Sequence, residues 1–111
     1  MPKAMLDQNQ LRMIAKLFSV LAEPTRLDIL QHLKKKPLSV NQIVEVAGAK
    51  QANVSKQLGI LHDAGLLQRE RLGNLVYYKI ADPVIFDLCS LVCSKLRKDA
   101  EIQLAAFAKQ R

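Results

Sequence analysis

One short run, "QANVSKQLGILHDAGLL" at residues 51–67, crowds together Gln51, Asn53, Ser55, Lys56 and Gln57. Behind them Val54, Leu58 and Leu61 recur at helical spacing, with Ile60 alongside. Amide, hydroxyl and ammonium groups on an exposed helix face can meet base edges and phosphates in a DNA groove. The same residue types also make an ordinary solvated face, so the flanking elements decide between the two readings.

A second set of reactive groups lies in "CSLVC", where Cys89 and Cys93 are four residues apart. On a helix that spacing puts both thiols on one face. A disulfide between them within an intact helix is disfavoured, because it needs Cβ atoms about 3.8 Å apart, closer than successive turns offer. Across a dimer axis the pair would meet its symmetry mate, bringing four sulfurs together. Such a cluster can bind a soft metal or arsenite, or form intersubunit disulfide or polysulfide links. The competing reading is packing, since cysteine is often buried as a small apolar residue. If the thiols do react, redox or reactive-sulfur sensing is preferred over metal, because no third ligand type is near.

Other titratable residues are less informative. His32 and His62 are isolated in the sequence and read as surface or core-edge residues, His62 facing a phosphate or the core edge. No nucleophile–base set, glycine-rich phosphate loop or paired carboxylates stand out, so no enzyme, resident metal or cofactor is expected.

The positioning elements can be read from periodicity and caps. "LRMIAKLFSVL" (residues 11–21) spaces Leu11, Ile14, Leu17, Phe18 and Leu21 as a helix. Glu23 and Pro24 open a second helix as N-cap and first residue. Leu27, Ile29, Leu30 and Leu33 face inward, Pro37 ends the helix, and Lys34, Lys35 and Lys36 occupy its last turn. Ser39 and Gln42 form a capping-box pattern for a short third helix that Gly48 terminates. The polar helix then runs from about Gln51 to Asp63, ending near Gly65. Two helices joined by a short glycine-containing connection predict a helix-turn-helix.

From Leu67 to Ile80 the period changes to two, with "LGN" between the halves, which predicts a β-hairpin. A hairpin directly after a helix-turn-helix is a wing. Its Arg69, Arg71 and Asn74 are placed to approach the DNA backbone or minor groove. Asp82 and Pro83 open a last helix that is apolar nearly all round from Val84 to Leu96. Such a helix must be covered on every side, so a homodimer through the first and last helices is expected. The predicted fold is mainly α with a β-hairpin wing, in the order α-α-α-α-β-β-α, as a single domain over residues 1–111.

Composition agrees with a DNA-binding chain. Seventeen Lys and Arg against ten Asp and Glu give a net charge of +7, which favours a polyanionic partner. Neither a signal peptide nor a membrane span is expected, and two cysteines make no secreted disulfide framework. A cytoplasmic location with reduced thiols follows.

Three blocks in order, "LAEPTRLDIL", "QANVSKQLGILHDAGLL" and "RERLGNLVYYKIAD", resemble the ArsR/SmtB family of bacterial winged helix-turn-helix repressors. The resemblance runs from about Leu17 to Pro83. It implies a dimeric repressor on palindromic operator DNA, with reading residues carried over onto Gln51, Asn53, Ser55, Lys56 and Gln57. It also implies release by an inducer such as a metal ion, arsenite, or a reactive oxygen or sulfur species.

Three departures bear on that expectation. Lys50 stands where many relatives have a capping Ser, and a cation there opposes the helix dipole unless a phosphate compensates it. Of the family's last-helix zinc site only Asp82 remains: Val84 replaces the first His, and Lys95 and Lys98 fall near the later ligand positions. "LSVNQIVEV" contains no Cys, so the thiol site at the front of the third helix is absent too. The inducer therefore stays open between thiol chemistry at Cys89 and Cys93, metal or arsenite on the same thiols, and no small molecule. A winged helix used for protein contact is the rival outside DNA binding.

Overall fold

Leu38 and Ser39, too short a stretch to show any period, pair with Tyr78 and Tyr77 and turn the wing hairpin into a three-stranded antiparallel sheet. The computed structural model describes residues 5–109. Its elements are α1 (Gln8–Leu21), α2 (Pro24–His32), β1 (Leu38–Ser39), α3 (Val40–Ala47), α4 (Gln51–Asp63), β2 (Leu67–Leu72), β3 (Leu75–Ile80) and α5 (Val84–Lys109). This is the expected winged helix-turn-helix order with β1 added, and the sheet order is β1-β3-β2. The chain divides into two units, one running to Ala81 and the other starting at Asp82.

In the first unit the core is aliphatic but for Tyr78. Ile29, Leu30, Leu33, Leu38, Ile43, Val54, Leu58, Leu61, Leu67 and Tyr78 are all buried. Each large side chain contributes about 1.5–3 kcal/mol through the area removed from water. Leu27, expected to face inward, is instead exposed.

Local chemistry sets the helix ends. Asp7 caps α1 through a full capping box with Gln10, so the helix begins three residues before the apolar pattern at Leu11. No residue of α1 is buried; Leu11, Met13, Ile14 and Phe18 are exposed. Glu23 caps α2, its carboxylate accepting the backbone N–H of Arg26 at 3.0 Å. The N–H groups of Thr25 and Arg26 hold the Glu23 carboxyl below its ordinary pKa, partly offset by desolvation.

The end of α2 differs from expectation. The helix stops at His32 with Leu33 as C-cap, so Lys34, Lys35 and Lys36 lie beyond it rather than in its last turn. The chain must leave the helix early because β1 pairs with β3, and a residue preceding proline is disfavoured in the α conformation. Ser39 then caps α3 in the anticipated box with Gln42, and Gly48 ends it in the left-handed conformation at φ 65°.

The second unit is one long helix. Asp82 accepts the Val84 N–H at 2.9 Å, and α5 continues for 26 residues, about 39 Å at the α-helical rise. Leu91, Val92, Leu96, Ile102, Leu104 and Phe107 along it are exposed. No described helix is long and apolar enough to cross a membrane.

Candidate nucleic-acid interface

The connection from α3 to α4 is three residues, Gly48 to Lys50, and the second helix is aligned by burial of Val54, Leu58 and Leu61 on one side. At its far end Leu66 N–H donates to Leu61 O and Gly65 N–H to His62 O, both at 3.0 Å, with Gly65 at φ 80°. That pair of bonds is a Schellman closure, which satisfies the last carbonyls and sends the chain directly into β2. At the near end Lys50 is N-cap but makes no side-chain capping bond. The amides of the first turn are therefore left for an external acceptor.

Around the rest of α4, Gln51, Asn53, Ser55 and Lys56 are exposed. The side chains of Gln51, Ser55 and Lys56 have no hydrogen-bond partner among the described residues. Gln57 corrects the sequence reading. It is 8% exposed, because three residues after Val54 and four before Leu61 it falls on the buried side of the helix. Arg26 Nη1 donates to Gln57 Oε1 at 2.8 Å, and Gln57 Nε2 donates to Asn53 Oδ1 at 3.0 Å. Arg26 Nε also donates to the carbonyl of Val20 at 2.6 Å.

Arg26 was not legible as a site residue, although one signal existed. It is the third residue of α2, where a cation opposes the helix dipole unless something else holds it.

The wing presents Arg69, Arg71 and Asn74 to solvent. Gly73 and Asn74 form a two-residue turn with Gly73 at φ 63°, the pattern of a type II′ hairpin. Arg69 lies opposite Tyr78 and Arg71 opposite Val76, so both arginines share one face of the strand pair. With Val40, the first residue of α3, these four side chains line an open depression. Two guanidinium groups beside a helix start suit an anion such as a phosphate.

His32 pairs with Asp28 at 3.4 Å and His62 with Asp63 at 3.3 Å. On α5, Cys89 is half-buried and Cys93 exposed, and Arg97 Nη2 lies 3.9 Å from Cys93 Sγ. Lys95 holds Asp99 in an ion pair at 2.8 Å. Among the described residues no three side chains of His, Cys, Asp or Glu gather as a metal set.

A helix-turn-helix domain family matches residues 21–70. The transcriptional regulator NmtR of Mycobacterium tuberculosis is 36% identical over 87 residues, which cover 78% of this chain and 72% of that protein. A transcriptional repressor SmtB homologue of Synechocystis is 34% identical over 93 residues, covering 84% and 69%. This chain belongs to the ArsR/SmtB family. Its relatives are DNA-binding transcriptional regulators, not enzymes. Among solved structures, a homodimeric winged helix-turn-helix DNA-binding domain of Mycobacterium bovis, a possible ArsR-family regulator, superposes with a TM-score of 0.72. It is 27% identical, over 87% of this chain and 92% of that one. As an ArsR/SmtB member, the chain carries its helix-turn-helix at α3–α4 and its wing at β2–β3.

Proposed function

We propose that this ArsR/SmtB protein is a dimeric, sequence-specific repressor acting on operator DNA in the cytoplasm. The observation that carries the reading is the exposed row of Gln51, Ser55 and Lys56 on α4, free of internal partners among the described residues. Gln51 and Ser55 read base edges, Lys56 takes a phosphate, and Asn53 adds an amide to the reading face. Arg69, Arg71 and Asn74 grip the backbone from the wing. Gln57 serves from within, as a support for Asn53. A second copy covers the exposed apolar side chains of α1 and of α5, a reading supported by the homodimeric relative.

Cys89 and Cys93 supply the release. A hydroperoxide oxidises two thiols, one from each copy, to a disulfide: the S–S bond forms, two electrons pass to the peroxide O–O bond, and its oxygens leave as water and alcohol or as two waters. With a polysulfide, one thiolate attacks a polysulfide sulfur and displaces a polysulfide shortened by one sulfur; the second copy's thiolate then attacks the resulting persulfide, forming the disulfide and expelling hydrosulfide. The exposure of Cys93 leaves its sulfur open to either reagent.

Fluorescence anisotropy on DNA upstream of the protein's own gene tests both parts. Reduced protein binds tightly, peroxide or polysulfide releases it, and Cys89→Ser/Cys93→Ser binds but is not released. Release of the double variant by the same treatments would return both thiols to packing. Binding that is weak and indifferent to salt would remove the DNA reading.

A further inference from the structure

The bonds Arg26–Gln57–Asn53 have a direction, and it is fixed at one end. A guanidinium carries donors only, so the Gln57 oxygen must face Arg26. That turns the Gln57 NH2 group toward Asn53, where it donates to Oδ1. The Asn53 oxygen is thereby held inward, and its NH2 group is the end with no partner among the described residues. We infer that Arg26 and Gln57 are specificity-determining positioning residues, which make Asn53 present a donor, not an acceptor, to the DNA. The inference rests on the DNA-reading role proposed above.

The chemical consequence is a preference at one base of each half-site. A free Asn can turn either end of its amide to a base, or engage adenine with both. Asn53 with its oxygen engaged seeks acceptors on the major-groove edge: guanine O6 and N7, thymine O4 or adenine N7. Cytosine, which offers the N4 donor at that edge, is disfavoured. Burial of Gln57 matters here, because water cannot readily substitute for either partner and scramble the orientation.

Two substitutions reverse the outward group. Gln57→Glu keeps an acceptor for Arg26 but gives Asn53 a second acceptor to face, so Asn53 turns its NH2 inward and its oxygen outward. The new carboxylate is paired with the guanidinium, which preserves the fold. Asn53→Asp, at an exposed position, accepts from Gln57 with one oxygen and presents the other.

The experiment is selection of randomised duplexes by the reduced full-length chain, followed by sequencing, for the wild type and both variants. The expected result is one position per half-site at which cytosine, disfavoured by the wild type, gains on guanine and thymine in both variants, by on the order of tenfold. Other positions keep their ranking. If Gln57→Glu fails to fold, as judged by circular dichroism, Asn53→Asp alone must show the shift. An unchanged preference in a folded variant overturns the inference while leaving the DNA reading intact. No enrichment by the wild type removes the DNA reading itself, and this inference with it.

Discussion

Arg26 Nη1 donates to Gln57 Oε1 at 2.8 Å across 31 residues of sequence, joining the first turn of α2 to the middle of α4. Arg26→Met leaves a buried amide oxygen without its donor, which costs about 1–3 kcal/mol of folding stability. Adding Gln57→Leu removes the orphaned acceptor, so the double variant recovers part of the loss. Urea unfolding of the two single variants and the double gives the coupling. Strictly additive effects would mean that the bond contributes nothing to the fold.

Lys50 separates stability from affinity. Lys50→Ser supplies the missing cap of α4 and raises stability by about 1 kcal/mol. The same change removes a cation from the start of the reading helix, so DNA binding weakens and the log–log salt slope falls by about 0.9. Thermal unfolding and salt-dependent anisotropy on one preparation check both halves. A serine variant that binds as tightly as the wild type would deny Lys50 a phosphate.

On the reading row, Ser55→Ala and Gln51→Ala are expected to weaken cognate DNA by about 1–3 kcal/mol each and to affect random DNA much less. Lys56→Ala weakens both DNAs alike and flattens the salt slope. Equal losses on both DNAs for all three changes would place the reading face elsewhere.

Acid weakens the start of α2 in a defined direction. The Glu23 carboxyl is held below its ordinary pKa by the Thr25 and Arg26 N–H groups, with desolvation opposing them. Its contribution to stability is therefore complete above the ordinary carboxylate range and is lost as pH falls through the lowered folded value. Glu23→Gln keeps an acceptor that does not titrate. Denaturant midpoints at neutral pH and at about pH 3 should fall less for this variant than for the wild type. Parallel losses would assign the acid sensitivity to other carboxyls.

What the sequence disclosed depended on whether the cause was local. The limits of α4 and the wing were legible because Gly48, Gly65 and Gly73 each sit at a positive φ that other residues avoid. The Asp7–Gln10 box was equally local, but the apolar pattern that starts at Leu11 obscured it. β1 was hidden, since two residues have no period and their partners lie some forty positions later. The lysines after His32 were misplaced for the same reason: that distant pairing ends the helix. Of the candidate reading row, the exposure of Gln51, Ser55 and Lys56 followed from helical spacing. The inward turn of Gln57 did not, because only the fold brings Arg26 to it.

Ser39 belongs to two structures at once. It is the last residue of β1, opposite Tyr77, and its hydroxyl and backbone N–H close the box that starts α3. Ser39 thus ties the sheet to the helix-turn-helix with no slack between strand and helix. A hairpin pushed sideways by a DNA strand tugs on the first turn of α3, and α3 in turn braces α4. Grip and reading head would then flex as one stiff jaw, so a strain applied at the wing tip is felt where the bases are read.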